Sequence, residues 1–394
     1  MQFSRRTGWE SGENDWAAAI RARRSAGREV IDLTVSNPTA CGLGPDETAL
    51  LAPLAHPGAL LYTPDPFGMR SAREAVVAYY RDHGAEMETG RVCLTTSTSE
   101  AYSFLFRLLC DPGDEVLIAR PSYPLFDLLA QLDDVVLHEY PLRYDPGAVA
   151  SGHGGWEIDF AALSAAITER TRAIIAVHPN NPTGNYVSAA DRAALRNLCA
   201  EHDLALIVDE VFLDYALIAE PGLVGSFVDD QSPCLCFVLS GLSKVCALPQ
   251  MKLSWIAACG PQALVERAME RLEIIADTFL SVNAPIQFAL PNWLISRKAV
   301  QERIRQRLKT NLQALDRRLT GSLASRMSVE GGWTVVLRVP SIVDKREFAF
   351  TALERGIVVQ PGEFYGLPAG RCVLSLLTPP EIWIPGLKSL PIDE

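Results

Sequence analysis

Between about residues 90 and 260, short apolar runs alternate with segments whose apolar residues recur every three to four positions. The runs VCLTT (92–96), EVLIA (115–119), AIIAVH (173–178), LALIVD (204–209), CLCFVLS (234–240) and LSWIAAC (253–259) are apolar at nearly every position, as strands buried on both faces are. Between them, EAYSFLFRLLC (100–110) and AADRAALRNLCAEH (189–202) carry the helical period. Strands of this kind alternating with helices predict an α/β domain, its mostly parallel sheet sandwiched by helices.

After about residue 285 the pattern changes. A long basic helical stretch, RKAVQERIRQRLKTNLQALDRRL (297–319), precedes the strand-like runs WTVVLRV (333–339), IVVQPG (357–362) and RCVLSLL (371–377). This predicts a smaller α+β domain over 285–394, a large domain over 46–284, and an N-terminal segment, 1–45, that packs with the small domain.

Composition narrows the class. The 394 residues are 48% hydrophobic and 21% charged, which suits a soluble globular protein. No apolar run approaches the roughly 18–20 residues of a membrane span. The first residues, MQFSRRTGWESGENDWAAAIRARR, lack an apolar signal core and are expected to belong to the mature protein. A formal net charge of −11 argues against nucleic acid or an anionic membrane as partner. Nine cysteines occur without a C-x-x-C pair, and Cys234 and Cys236 lie in an apolar strand where cysteine acts as a small hydrophobe. Neither a disulfide framework nor a metal site is expected, and a reducing cytoplasm fits.

Ligands of open α/β sheets bind beyond the carboxyl ends of the strands, and polar groups collect there. Asp209 closes LALIVD; it either caps the next turn or holds a heterocyclic nitrogen protonated. Ser97 and Glu100 form a capping box, which leaves the amides of Thr98 and Ser99 at a helix start suited to a phosphate. HPNNPTGN (178–185) is a Pro-rich turn whose carboxamides, Asn181 among them, could also donate to a ligand oxygen. In LSGLSKVCALPQMK (239–252), Lys244 stands among small and apolar residues, eight positions from its nearest charged neighbour in the chain, Lys252. Lysines so placed have a lowered pKa and form Schiff bases with carbonyl groups. A Schiff-base lysine, a pyridinium-holding carboxylate, a phosphate cup and an amide donor together describe a pyridoxal 5'-phosphate site.

With YTPDPFG (62–68), TSTSEA (96–101), DPGDEV and PSYP (111–124), HPNNPTG, VDEV (208–211) and the lysine segment, the chain resembles the class I/II aminotransferases of fold type I, from about Leu33 to the last strand. The resemblance implies a large domain built on a mostly parallel seven-stranded sheet. It implies that Lys244 holds pyridoxal phosphate and shuttles a proton, that Asp209 meets the ring nitrogen, and that Asn181 donates to the ring's phenolic oxygen. Tyr123 and Val211 would cover the two ring faces. The amides of Thr98 and Ser99, with the charge of Lys252, would take the phosphate, helped by the hydroxyl of Ser240 or Ser243. Tyr62 would reach the phosphate of a neighbouring subunit, which implies a homodimer with shared sites. An amino acid and a 2-keto acid would exchange an amino group, with side-chain selection near Asn37.

The chain departs from the family pattern at several positions. Gly241 replaces the first serine of S-x-S-K, Lys252 stands where arginine is commoner, and Phe212 takes the place of a tyrosine. In RCVLSLL, Val373 occupies the position of the arginine that grips the substrate carboxylate. Arg371, on the same strand face about 6–7 Å away, is the expected substitute. Aminotransfer is the leading reading. The alternative is a β-lyase or specialised-metabolism cyclase on the same site. A cofactor-binding regulator is disfavoured by the acidic charge and by the expectation that about 30 residues before the first strand are too few for a DNA-binding module.

Overall fold

The computed structural model describes residues 1–9, 12–147, 155–218, 225–339 and 346–393. Its main sheet is formed by β1 (Val92–Thr95), β2 (Glu115–Arg120), β3 (Val136–Tyr144), β4 (Trp156–Ile158), β5 (Thr171–Val177), β6 (Ala205–Asp209), β7 (Cys236–Gly241) and β8 (Ser254–Cys259). The spatial order is β1-β8-β7-β6-β5-β2-β3-β4. Neighbours from β7 to β3 run parallel, β8 is antiparallel to both of its neighbours, and β4 is antiparallel to β3.

The sheet has eight strands, where seven were expected. The additional edge comes from β4, three residues that return along the end of the nine-residue β3 and pair Tyr144 with Trp156. Helices cover both faces, so side chains alternate between two cores. Leu117, Ile174, Leu206 and Val238 enter one; Val116, Ile175, Ile207 and Phe237 enter the other. That two-sided burial is why the strands read as unbroken apolar runs.

The C-terminal part has an antiparallel sheet of Ser325–Arg326, Thr334–Arg338, Arg371–Ser375 and Gln360–Pro361. Of the run IVVQPG, Ile357–Val358 pairs instead with Ile31–Asp32, and Trp16 meets Phe350 edge-on at 5.3 Å. The first residues lie elsewhere: Arg6 pairs with Asp134, and the Trp9 indole donates to Gln131 at 2.5 Å. A 36-residue helix, Ala284–Leu319, joins the two parts. Its Ile286, Leu290 and Trp293 belong to a core of the large sheet, whereas Val300, Ile304, Leu308 and Leu315 belong to the C-terminal core.

Candidate active site

β6 and β7 are parallel neighbours with Asp209 opposite Leu239, so the chain beyond them emerges side by side. Asp209 ends β6, and Lys244 sits on the four-residue helical turn Leu242–Val245 that follows β7. On the other flank of β6, Val177 of β5 pairs with Asp209, and the His178 amide donates to the Asp209 carbonyl at 2.8 Å. The HPNNPTGN turn therefore begins beside the same carboxylate. Ser254, which opens β8, lies opposite both Gly241 and Thr95, and so brings in the start of the helix Thr98–Leu109. Gly241 has a steric reason here: a Cβ would stand 2.2 Å from the Ser254 hydroxyl and 3.0 Å from the Leu253 carbonyl oxygen.

Asp209 is buried and accepts one hydrogen bond on each oxygen, from the Tyr102 hydroxyl at 3.3 Å and from the Val211 amide at 3.0 Å. Burial raises its pKa to about 6, against the pull of those two donors and of the Lys244 charge. A carboxylate kept from water without a contacting cation is electrostatically incomplete.

Lys244 is complementary to it. Burial lowers its pKa to about 8, opposed by attraction to Asp209. Its Nζ lies 4.8 Å from the centroid of the Trp333 ring and 5.5 Å from that of Phe212. Those two rings meet edge-on at 5.4 Å, so the ammonium is held against aromatic faces, which favour a cation but supply no acceptor.

At the helix start the Ser97 hydroxyl caps the Glu100 amide at 3.1 Å, and the Glu100 carboxylate reaches the Thr96 amide at 2.7 Å, one residue earlier than the expected capping box. The amides of Thr98 and Ser99 are the first two of the helix, where no intrahelical acceptor exists. The paired amides of HPNNPTGN divide their work. Asn180 secures the turn, donating to the Pro121 carbonyl at 3.1 Å and the Thr183 hydroxyl at 2.7 Å. The carboxamide oxygens of Asn180 and Asn181 are both buried and without a partner among the described residues, as is the Ser240 hydroxyl. Ser243 is part-buried beside Lys244, and Lys252 is exposed, with a left-handed backbone (φ 50°). Tyr123, beyond β2, is 41% exposed and close enough to Asp209 for that charge to help raise its pKa, after burial.

Other expected residues lie differently. Tyr62 is 84% exposed, in a surface run with Leu60 and Leu61. The Asn37 side-chain oxygen accepts from the Thr39 amide at 3.1 Å and hydroxyl at 2.8 Å, a turn-holding arrangement. Arg371 stands opposite Arg338, at the end of its strand remote from the Thr334–Ser375 pair, where Thr334 bonds the Pro182 carbonyl. Its Nη1 donates to the Gly370 carbonyl at 2.9 Å and its Nε has no partner; burial, then Arg338, lowers its pKa. Val373 is packed with Trp156, Met327, Val336 and Leu367.

Sequence reasoning missed Tyr102 and Trp333. Tyr102 was accessible in principle, being one helical turn after Thr98 and on the same helix face. Trp333 precedes a strand of the C-terminal sheet, and no local pattern connects it to Lys244.

Residues 28–382 match the sequence model described as aminotransferase class I and II. The chain belongs to this family. Among curated relatives, the alanine aminotransferase of Mycobacterium tuberculosis is 30% identical over 279 residues, 70% of this chain and 62% of that protein. The glutamate-pyruvate aminotransferase of Escherichia coli is 28% identical over 280 residues, 70% of this chain and 66% of its own. The matched region thus spans less than two thirds of either relative. Among solved structures, the alanine aminotransferase from Pyrococcus furiosus superposes with a TM-score of 0.86 at 25% identity, covering 98% of both chains. A Thermus thermophilus aspartate aminotransferase double mutant gives 0.83 at 24% identity, covering 99% of this chain and 98% of the other. The aminotransferase fold, type I, is common to them.

Proposed function

We propose that this chain is a pyridoxal-phosphate-dependent aminotransferase, exchanging an amino group between an amino acid and a 2-keto acid. The observation that carries the reading is the pair at the ends of adjacent strands: a buried carboxylate, Asp209, with no cation in contact among the described residues, and a part-buried amine, Lys244, with no acceptor in contact among them.

The residues present fit the cofactor. Asp209 would hold the proton on the ring nitrogen, which gives its carboxylate the contacting cation it lacks. The carboxamide NH2 of Asn181 would donate to the ring oxygen. The amides of Thr98 and Ser99, the free hydroxyl of Ser240, Ser243 and the charge of Lys252 would hold the phosphate. Tyr123 and Val211 would cover the ring faces. Bound pyridoxal phosphate supplies a carbonyl carbon and a ring that accepts electrons from the substrate's α-carbon.

Lys244, with a pKa of about 8, is neutral in roughly one molecule in ten near pH 7. That neutral Nζ would hold the cofactor through its carbonyl carbon and, when free of it, would accept the proton from the substrate's α-carbon. Asp209 would hold the proton on the ring nitrogen. The Phe212 and Trp333 rings hold water away from Nζ and keep its basicity near neutral.

The reading extends to a homodimer in which Leu60, Leu61 and Tyr62 face a second copy, to a cytoplasmic setting in keeping with buried free cysteines such as Cys234, and to division into 1–45, 46–284 and 285–394. Glutamate with pyruvate is the first substrate pair to test, because one of the relatives is named for it. Arg371 is the proposed carboxylate ligand and Asn37 a proposed part of the side-chain subsite. The apolar packing of Val373, where the family's arginine stands, favours a β-lyase or cyclase as the second reading. Mixing the loaded protein with a panel of amino acids separates the two. Pyridoxamine phosphate and a keto acid are expected; release of ammonia with pyruvate overturns aminotransfer.

A further inference from the structure

The turn that carries Lys244 is only four residues long, Leu242–Val245, and its backbone bonds are few: the Leu242 carbonyl accepts from the Cys246 and Leu248 amides at 3.1 and 3.0 Å, and the Lys244 carbonyl from the Ala247 amide at 3.2 Å. Two buried side chains from outside it add to these bonds. The Tyr215 hydroxyl donates to the Lys244 carbonyl at 2.5 Å, and Gln301, on the long helix, donates to the Val245 carbonyl at 2.9 Å. Tyr215 is fully buried and lies six residues beyond Asp209, so one short segment supplies the carboxylate and then returns to grip the lysine's backbone.

Tyr215 is also tied to the aromatic wall. Its ring meets Trp333 edge-on at 5.1 Å, its carbonyl accepts from the Gly332 amide at 3.0 Å, and the next residue, Ala216, bridges to Gly331. Leu217 continues the contact by donating to the Glu330 carbonyl at 2.7 Å. Lys244 and Trp333, on separate elements, are thus set against each other through one side chain.

We propose that Tyr215 is a positioning residue: by clamping the Lys244 carbonyl while its segment pairs with Glu330–Gly332, it keeps Nζ against the Phe212 and Trp333 rings. This rests on the aminotransferase reading for its purpose, but the clamp is a property of the chain alone. Asp209 is the charged group that bears on Lys244, and Asp214, Cys246 and Arg305 are those around Tyr215. A phenylalanine at 215 would keep the ring against Trp333 and lose only the hydroxyl. The freed turn would let Nζ swing toward water, where an ammonium is better solvated.

The test uses the full chain without cofactor. Competitive acetylation across about pH 6 to 11, read by peptide mass spectrometry, gives the titration midpoint of Lys244, with exposed Lys298 as internal reference. In Tyr215→Phe the Lys244 midpoint should rise by about one pH unit, with Lys298 unchanged and native circular dichroism. A general loss of stability would lower the melting temperature without moving that midpoint, so an unmoved midpoint in the folded variant overturns the proposal. Should the variant not fold, hydrogen exchange on the unmodified protein decides. Residues 242–248 should be as protected as Cys236–Gly241, and exchange at the rate of an open loop overturns the clamp. Failure of the aminotransferase reading has a separate signature, borohydride labelling of the loaded protein at some other lysine, and leaves the acetylation result intact.

Discussion

The Nζ of Lys244 faces the Trp333 ring at 4.8 Å, an ammonium set against an indole instead of a carboxylate. Burial outweighs both this contact and the pull of Asp209, and the amine loses its proton near pH 8. Reductive methylation of the cofactor-free protein should therefore modify Lys244 at a rate that rises through about pH 8 and then levels. A rate that keeps climbing into the ordinary lysine range would place Nζ in water.

Asp209 should cost the cofactor-free protein stability. Its pKa rises from 3.8 to about 6 on folding, so between those values the folded state keeps a proton that the unfolded state has lost. Stability falls as pH rises through that window, by about 3 kcal/mol at most. Asp209→Asn removes this term. The variant should melt higher than the parent near pH 7 without cofactor, yet bind pyridoxal phosphate more weakly. Glu210, also raised by burial, to about 7, titrates in both proteins, so the difference between their pH–stability curves is the measurement.

In the proposed site Phe212 would leave the ring oxygen of the cofactor short of a phenolic donor, and Tyr215 would not replace it, because its hydroxyl is committed to the Lys244 carbonyl. Phe212→Tyr should shift the visible-absorbance titration of the loaded protein to lower pH by about one to two units. An unshifted titration would mean that another donor already serves that oxygen.

Arg371 has an unpartnered Nε and one contact to a neighbouring carbonyl, which leaves most of its donors uncommitted. Arg371→Ala should lower kcat/KM for amino and keto acids by roughly 30- to 150-fold, about 2–3 kcal/mol, with cofactor absorbance unchanged. Near-normal kinetics would assign the carboxylate to another group. Val373→Arg is expected to destabilise the protein by several kcal/mol, since it puts a cation among Trp156, Met327 and Leu367.

What was legible in the sequence divides along physical lines. β5, β6 and β7 are buried on both faces, and this favours apolar residues at nearly every position; Asp209 at the end of β6 and Lys244 on the turn after β7 stood out against that pattern. β3 was unreadable for the opposite reason: most of its residues reach solvent, so VLHEYPLRY shows no sustained apolar run. β4 was too short to register, yet it brings Trp156 against Val373. The steric need for Gly241 depends on Ser254 across a strand pair, and the grip of Tyr215 on Lys244 spans 29 positions. Contacts of that kind follow from the assembled sheet, and no local period encodes them.

The helix Ala284–Leu319, about 54 Å long, has its first turns embedded in one core and its later turns in the other. Neither core can melt without stripping apolar surface from a helix that the other still holds. Heat should accordingly unfold the protein in a single cooperative transition, with the calorimetric and van't Hoff enthalpies in agreement, despite its separate sheets. A chain cut at residue 284 would release two fragments, one missing a wall of its core and the other bearing an apolar helix with nothing to cover it.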